Sequence, residues 1–552
     1  MKPARHHARL VAALVAAVVL VLPAREAVAQ TGATVASATV AAPDVGSEQE
    51  RYDRLLQITA FAKLYPWSQR GLSPSEQDLL AVADSGHPWA RSTWQRSAVH
   101  HRSGLSWSAL PTQADVYFNS AFPYGYNDGP VWAGRGVTTA LQTGIAARFG
   151  HLSIQLEPMV FLSQNAAFAG LAAIRSADTR YENEFDPASI DVPERFGPKS
   201  YGRFDPGQST IRLDAGPVAA GFSTADQFWG PALAEPLLLG NNAAGFPHAF
   251  AGTAHPINIG IGTVHGRVVY GRLEESAFAP PHSLGASRFM SGAIGEIIPR
   301  GAPGLELGAA RFFHSPWPSG GIGASDLLRP FAGILKQSLV TAGDPSGDNR
   351  SDNQLASVFF RWAFPASGFE AYGEYGREDH NWDLRDLWMN IDHDAAYVLG
   401  LQRVFRSSPS RWYVFRAEVL NSRISHQAPS EPQGAWYIHA PITQGHTEMG
   451  QVLAAPGGLG GGASTIALDR YTSDGRWTVQ IGRMMRGEDR AAGGLALPDS
   501  ADVMQTLGVE RLVRRSAADF VFGANAVWDL NRDFMSDRFN LNLNLSARLH
   551  WP

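Results

Sequence analysis

The sequence predicts an all-β transmembrane β-barrel of about 18 antiparallel strands, with a small N-terminal α-helical segment on the periplasmic side. Three observations support this fold class. First, an export signal is followed by no other long apolar run. Second, apolar and polar residues alternate with period two through whole segments. Third, tight turns alternate with long connections along the chain. Helices and closed barrels are the structures that satisfy every backbone hydrogen bond within lipid.

Composition excludes several functional classes. The chain has 552 residues, no Cys and a formal net charge of −5. Without cysteine it has no disulfide framework, thiolate metal cluster or cysteine nucleophile. Only four of its 46 basic residues are Lys, and the balance is weakly acidic. Because nucleic-acid binders need a dense cationic face, we expect no nucleic-acid partner.

Residues 1–29 are predicted to be a secretory signal peptide. Lys2, Arg5 and Arg9 precede an apolar run at 10–22, and 27–29 offers the small residues that a signal peptidase recognises. About 13 apolar residues are too few for the ~20 of a membrane-spanning helix. We therefore expect the mature chain to be exported in a Gram-negative envelope, either as a protein soluble outside the cytoplasm or as an outer-membrane β-barrel, and the strand pattern of the chain favours the barrel.

Residues 30–46 are predicted to be a flexible leader and residues 47–112 an N-terminal helical segment. Apolar residues recur at spacings of three and four over 47–64, which is typical of an amphipathic helix. Ser73, Pro74 and Glu76 supply an N-cap, a proline at the first helical position and an acid at the third, which predicts a second helix to about residue 84. Two short helices cannot form a core alone, so we expect them to pack on the body.

Residues 113–552 are predicted to form the barrel, and the last segment gives the clearest signal. From Phe539 to Trp551 every second residue is apolar, and the residues between are Asn, Ser, Arg and His. Membrane strands of ~9 to 11 residues with interfacial aromatic residues sustain such alternation, whereas soluble strands average ~5 to 6 residues. Segments 151–162 and 411–422 show the same pattern.

Connection lengths give an independent signal. Tight turns rich in Gly, Pro, Asp and Ser are predicted at 150–151, 216–217, 265–266, 299–304, 365–368, 407–410, 473–475 and 514–517. Long connections are predicted at 163–208, 228–256, 314–353, 379–394 and 423–462. Outer-membrane barrels have short periplasmic turns and long external loops, and this rule gives about 18 strands. The strand-like piece within 435–462 is assigned to an external loop.

The preference for Arg over Lys has two explanations. Arg–carboxylate pairs can brace a polar lumen with bidentate hydrogen bonds, which Lys makes less well. A GC-rich coding bias would produce the same preference.

Three aromatic-rich segments, 118–136, 228–243 and 379–394, are candidates for carbohydrate recognition. Aromatic rings stack on sugar C–H surfaces, and Asn, Asp and Arg hydrogen-bond hydroxyl and carboxylate groups. The alternative is a set of packed loops in which Gly and Asn supply positive φ, or an ordinary solvated loop in the third case. The predicted glycan-binding residues are Tyr124, Tyr126, Asn127, Asp128, Trp132, Arg135, Trp229, Asn241, Asn242, Trp382 and Trp388.

No catalytic residues, metal site or cofactor are predicted. Glu370, Glu374 and Glu378 share one strand face, but a step of four residues spans roughly 13 Å. A glycosidase pair needs about 5 to 10 Å. The sequence has no Gly-x-Ser-x-Gly, His-Glu-x-x-His or phosphate-loop motif. An outer-membrane hydrolase that uses His439 or His446 stays open as a third alternative.

The motif residues carry a family resemblance. The run 228–231, Phe-Trp-Gly-Pro, followed by Leu-Leu-Leu-Gly-Asn-Asn-Ala at 237–243, resembles the "WWGP … L-x-x-N-A" core of the capsule assembly Wzi family. Segments 203–213, 374–376 and 436–450 are also similar to the family. Phe228 stands where the family has the first tryptophan of its doublet.

This resemblance implies an outer-membrane barrel with a periplasmic helical bundle, acting as a non-enzymatic lectin that retains capsular polysaccharide. The partners it implies are capsular or extracellular polysaccharide, outer-membrane lipids and the barrel-insertion machinery. A channel or glycan exporter built on the same barrel is the main alternative function.

Overall fold

The computed structural model describes residues 39–80, 86–90, 98–169, 190–279, 287–333, 352–378, 383–425, 434–439, 442–486 and 501–551. The predicted signal peptide, most of the predicted leader and Trp382 lie outside these residues. Within the described ranges, no helix has the length and apolar character needed to cross a membrane.

Two helices form in the N-terminal segment. The first ends earlier than the predicted residue 64, and residues 81–84 of the second prediction lie outside the described residues. Helix α1 spans Glu48–Ile58, with the Ser47 hydroxyl accepting from the Glu50 N–H, and it ends before Ala60, whose φ is +63°. Helix α2 spans Pro74–Leu80, and the predicted capping box is present because Ser73 N–H donates to the Glu76 carboxylate at 2.8 Å. Short helices α3 (Ala324–Leu328) and α4 (Leu384–Met389) lie in long connections, and a 3₁₀ helix (Arg329–Phe331) follows α3.

The strands are β1 (Gln69–Arg70), β2 (His100–Arg102), β3 (Leu105–Ala109), β4 (Thr112–Asn119), β5 (Gly136–Gln142), β6 (Ile145–Phe149), β7 (Leu152–Leu156), β8 (Met159–Ser163), β9 (Tyr201–Asp205), β10 (Thr210–Ala215), β11 (Val218–Ser223), β12 (Phe228–Trp229), β13 (His248–Thr253), β14 (Ile257–Asn258), β15 (Gly262–Leu273), β16 (Arg288–Pro299), β17 (Leu305–Pro316), β18 (Asn353–Phe364), β19 (Phe369–Glu378), β20 (Ala395–Ser408), β21 (Arg411–Asn421), β22 (Thr447–Glu448), β23 (Gln451–Val452), β24 (Gly462–Thr472), β25 (Gly475–Arg486), β26 (Asp502–Arg514), β27 (Ala518–Arg532) and β28 (Ser536–Leu549).

Most of these strands form one antiparallel sheet. Strands β15 to β21 and β24 to β28 pair in chain order, with β21 beside β24, and β10, β11, β13 and β15 pair in the same way. Strands β4, β5, β8 and β9 also pair in order, as do β3, β6, β7 and β10. The last strand, β28, pairs with β4 from Asn542 to Leu549. Two small pairs, β1–β12 and β22–β23, lie outside this sheet.

The alternation predicted for the last strand is present in β28. Phe539, Leu541 and Leu543 are 48%, 37% and 40% exposed, whereas Asn540 and Asn542 between them are buried. We call the face with Asn540 the inner face of the sheet and the opposite one the outer face. On the inner face Arg416 donates from Nε and Nη2 to both oxygens of Asp469, at 2.8 and 3.0 Å, which is the bidentate brace expected of Arg.

Three sequence predictions about connections are wrong. Residues 265–266 lie inside β15, and the turn is at 259–261, because cross-strand pairing overrides the local turn preference of Gly266. The predicted long connections 163–208 and 228–256 contain β9 and β13. Both strands are short, and their apolar pattern is weak because β9 has Phe204 and Gly202 on one face and β13 has Ala249 and Ala251 on one face.

The inner face packs against three segments of the chain. Helix α1 contributes Tyr52, Leu55 and Leu56 to a cluster with Trp412 and Tyr471, so the helical segment packs on the body as expected. Segments 229–246 and 436–455 form the largest apolar cluster with inner-face residues of β13 to β21. The strand-like piece expected in an external loop is the β22–β23 hairpin, which lies in a buried segment beside this cluster.

Candidate functional site

A cavity of about 590 Å³ lies on the inner face, between the N-terminal helical segment and strands β24 to β28. The strand wall is made of hydroxyl and amide side chains that point inward at alternate positions. Its hydroxyl and amide residues are Thr465, Thr478, Gln480, Thr506, Asn525, Asn542 and Asn544. The same strands also contribute Arg483, Arg486 and Glu510, so the wall offers many hydrogen-bond donors and acceptors together with charged groups.

Seven of the eleven predicted glycan-binding residues line this cavity. They come from two stretches more than a hundred positions apart and are Tyr124, Tyr126, Asn127, Asp128, Trp132, Asn241 and Asn242. The fold therefore brings both aromatic-rich segments to one surface, opposite the polar strand wall.

The loop after β4 owes its shape to local hydrogen bonds. Asn127 and Gly129 have φ values of +57° and +59°, the left-handed conformation that Asn and Gly adopt most readily. The Asn119 amide donates to the carbonyl oxygens of Tyr124 and Ala133, both at 2.9 Å. The Asp128 carboxylate accepts the Tyr126 N–H at 2.9 Å, and burial raises the pKa of Asp128 to about 7. Gly and Asn thus supply the positive φ values that the packed-loop alternative assigned to them.

Glu235 joins this loop to the neighbouring segment. Its carboxylate accepts the Tyr126 hydroxyl and, at 3.1 Å, the Gly457 N–H. Burial raises the pKa of Glu235 to about 8, despite these hydrogen bonds. The Asn127 amide donates to the Ala234 carbonyl at 2.9 Å. Tyr126 and Asn127 are therefore held in place before any ligand arrives.

The two asparagines of the second segment also connect chain segments. Asn241 Nδ2 donates to the Asn127 carbonyl at 3.3 Å, and Asn242 Nδ2 donates to the Val452 carbonyl at 2.9 Å. Each side chain thus holds its loop and faces the cavity at the same time. A backbone bond from Gly129 N–H to the Asn241 carbonyl, 2.9 Å, completes the contact.

Strand carboxylates hold the buried segments in place. Glu418 of β21 accepts the N–H groups of Leu233, Ala234 and Glu235 at 2.6, 2.9 and 2.8 Å. Glu306 of β17 accepts the Trp67 N–H at 2.8 Å. Charge-assisted hydrogen bonds of this kind are about twice as strong as neutral ones. Sequence reasoning missed these contacts, because a single inward Glu carries no sign of its partner.

Three guanidinium groups at the cavity are paired with carboxylates. Arg54 contacts Glu370, Arg70 contacts Glu50 at 3.4 Å, and Arg486 contacts Asp502 at 3.0 Å. With these guanidinium groups neutralised, the surface favours a ligand rich in hydroxyl groups over a simple anion.

The other three predicted residues that the structure describes lie elsewhere. Trp229 is completely buried, and its ring packs over Gly292, so in this structure it supports the core and presents no face to a sugar. Arg135 donates to the carbonyls of Ser120 (3.2 Å) and Ala167 and does not line the cavity. Trp388 of α4 is 73% exposed and is also away from it.

Three of the residues considered for catalysis have structural contacts. Glu370 binds Arg54 and Arg361, and Glu378 accepts hydrogen bonds from the Asn353 amide and the Tyr437 N–H, each at 2.8 Å. His446 lies 2.6 Å from the Leu238 carbonyl through Nε2, and burial lowers its pKa to about 3. Among the described residues, no group of three or more His, Cys, Asp or Glu is arranged to hold a metal ion.

Comparison with known proteins gives a family and a fold. Residues 120–513 match the model of the family described as capsule assembly protein Wzi. The solved structure of Wzi from Escherichia coli, described as an outer-membrane protein involved in group 1 capsule assembly and a carbohydrate-binding β-barrel, aligns with a TM-score of 0.60 at 13% identity, over 92% of this chain and 99% of that one.

Two porins align less closely. A BenF-like porin from Pseudomonas fluorescens Pf-5 has a TM-score of 0.40 at 9% identity, covering 80% of this chain and 99% of its own. OpdQ from Pseudomonas aeruginosa has a TM-score of 0.37 at 7% identity, covering 80% and 97%. No curated protein sequence matches this chain significantly.

Proposed function

The chain belongs to the capsule assembly protein Wzi family, and from that premise we propose that it is a non-enzymatic outer-membrane protein that binds and retains capsular or extracellular polysaccharide at the cell surface. One observation supports this most strongly. Seven residues chosen for sugar chemistry line one polar cavity opposite a wall of amide and hydroxyl groups.

The chemistry of the cavity suits a polysaccharide. Tyr124 and Trp132 provide aromatic faces, and the amides of Asn241 and Asn525 lie in the same surface. A repeating polymer can occupy many copies of such a site at once. Weak contacts to each repeat then add up through avidity, which retains a polymer without catalysis.

We also infer that the sheet closes into a barrel of about 18 strands. Pairing between β28 and β4 supports closure. Four pairs of consecutive strands each behave as one interrupted strand: β3 with β4, β5 with β6, β7 with β8, and β9 with β10. Strand β14 extends β13. Counting them so, and leaving out the three-residue β2, which pairs with β3, gives 18 strands in the sheet. Position 113 as the start of the barrel is less well supported, since β2 and β3 precede it.

The orientation follows from the tight turns. Helix α1 packs against Trp412 and Tyr471, close to the turns at 409–410 and 473–474. In outer-membrane barrels the short turns face the periplasm. We therefore place the helical segment at the periplasmic side, after export by a cleaved signal peptide and insertion by the barrel-insertion machinery.

Glycan binding by the refolded barrel tests the proposal. Tyr124→Ala removes an aromatic face from the cavity and Asn525→Ala removes a strand-wall amide, so both should weaken binding of the host's capsular polysaccharide at least tenfold. Trp388→Ala is the matched aromatic control outside the cavity and should bind normally. Wild-type affinity in both cavity variants, or no glycan binding by the wild type, would contradict the proposal.

Conductance in planar bilayers separates this function from a channel or exporter. The apolar cluster of segments 229–246 and 436–455 fills the inner face near β13 to β21. We therefore expect near silence from the wild type. A steady open pore would favour transport.

A further inference from the structure

Segment 317–333, which contains α3 and the 3₁₀ helix, folds down against the outer face of the sheet. We call it the first flap. Tyr270 donates its hydroxyl to the Leu327 carbonyl at 2.7 Å, and Arg311 donates to the carbonyls of Pro330 (3.2 Å) and Ala332 (2.5 Å). Tyr270 and Arg311 are outer-face residues, because their strand neighbours Val269 and Phe312 belong to the inner core.

Segment 383–394, which contains α4, is held in the same way. We call it the second flap. Tyr375 donates its hydroxyl to the Ile391 carbonyl at 2.5 Å, and Arg377 donates to the Asn390 carbonyl at 2.8 Å. Both flaps are therefore fastened by one outward Tyr and one outward Arg.

Burial of the outer face confirms that the first flap covers it. Near the long connections Phe289, Phe313 and Gln354 of β16 to β18 point outward, yet only 2%, 1% and 3% of their surfaces are exposed. Nearer the tight turns, the outward residues Val358 and Trp362 are 57% and 44% exposed. The 3₁₀ helix packs on β16 and β17, which accounts for the difference.

The two arginines lie at one level of the sheet. Arg311 of β17 is directly opposite Ala356 of β18, and Ala356 is opposite Arg377 of β19. A row across neighbouring strands is nearly perpendicular to them, so both flaps are fastened at a similar depth.

Both flaps present large apolar side chains away from the sheet. In the first, Leu328 and Phe331 are 63% and 65% exposed, and in the second, Leu384, Trp388 and Met389 are 61%, 73% and 59% exposed. Soluble surfaces rarely carry such patches unless something covers them. These patches continue the apolar outer face of the strands, which lipid covers in an outer-membrane barrel.

We propose that both flaps lie at the edge of the outer leaflet, with the apolar residues of α3, the 3₁₀ helix and α4 against lipid. Short apolar helices with Trp at the boundary are suited to the interface between acyl chains and head groups. Trp388 is then a lipid contact and not a sugar contact. This inference rests on the outer-membrane location and is independent of glycan binding.

The absence of cysteine permits a direct test. The single-cysteine variants Phe331→Cys and Trp388→Cys are labelled with bimane and reconstituted into phosphatidylcholine vesicles that contain spin-labelled lipid. Quenching of bimane fluorescence by the spin label then reports contact with lipid. Val358→Cys is the lipid-facing control, and Ser410→Cys, exposed in a tight turn, is the aqueous control. Lipid quenching at 331 and 388 should match position 358 and exceed position 410 several-fold.

A second variant tests the hydrogen bonds that hold the first flap to the sheet. Arg311→Ala should lower lipid quenching at 331 and leave 388 unchanged, because it releases only the first flap. Quenching at 331 and 388 that equals the aqueous control would overturn the proposal. Two other results would also overturn it: shielding of the labels at 331 and 388 from water only after polysaccharide is added, or only when copies of the chain self-associate in detergent. The flaps would then contact a glycan or a protein instead of lipid.

Discussion

Arg54 of α1 donates from both Nε and Nη2 to one carboxylate oxygen of Glu370 in β19, at 2.9 and 2.7 Å. The other oxygen of Glu370 accepts from Arg361 Nε at 2.6 Å. All three side chains are buried. One ionic contact thus fixes the helical segment to the inner face of the sheet.

Arg54→Ala should loosen that segment. It leaves the buried Glu370 with one partner fewer, and removing one member of a buried pair costs about 3–5 kcal/mol. Thermal unfolding in detergent should show a clear loss of stability, and planar bilayers should show new conductance. Arg51→Ala is the control, because its contact to Glu48 is partly exposed and such pairs contribute about 0–1 kcal/mol. Equal stability of the two variants would contradict the role given to Glu370.

His87 should make the protein sensitive to acid. Its ring is buried among Tyr52, Trp412 and Tyr471, and burial together with Arg514 lowers its pKa to about 3. The unfolded chain takes up this proton near pH 6.5 and the folded chain does not, so stability should fall as pH drops from about 6.5 towards 3. His87→Phe should flatten that part of the unfolding profile, whereas substitution of the exposed His151 by Gln should not. An unchanged slope in His87→Phe would show that other groups carry the acid dependence.

Glu235 should give the opposite dependence, a loss of stability as pH rises towards about 8. Its pKa is raised to about 8 by burial, so the folded chain holds a proton that the unfolded chain releases near 4.5. The stability linked to this proton is complete below about pH 4.5 and is lost as pH rises through about 8. Glu235→Gln keeps one acceptor oxygen, for the Gly457 N–H, and its NH2 group can donate to the Tyr126 hydroxyl oxygen. It should flatten unfolding profiles between about pH 5 and 8. The prediction fails if wild type and variant lose stability in parallel over that range.

Trp229→Ala should act through packing. The side chain is completely buried, and truncating a buried Trp costs about 3–5 kcal/mol. We expect a large fall in unfolding temperature, with glycan affinity per folded molecule near that of the wild type. Trp388→Ala, at an exposed tryptophan, should change stability by about 0.5 kcal/mol or less in detergent. A folded Trp229→Ala protein that has lost glycan affinity would restore Trp229 as a sugar contact.

Some features of this protein could be predicted because they are encoded locally. The alternation from Phe539 to Trp551 sets which residues face out of the sheet, since strand side chains alternate with period two. Ser47 and Ser73 mark helix starts because an N-cap satisfies the backbone of its own helix. The loop with Tyr124 and Tyr126 was recognised from its composition alone.

Other features were decided only by the tertiary structure, since they depend on residues far apart in the chain. Trp229 and Tyr126 belong to similar aromatic-rich segments, yet one ring packs on Gly292 in the core and the other side chain lines the cavity. The second flap, which carries Trp388, is held to the outer face by bonds from Tyr375 and Arg377 to its backbone. The residue type determines which interactions a side chain can make. Whether that side chain is buried, and which residue it contacts, depends on segments that come together only in the folded sheet.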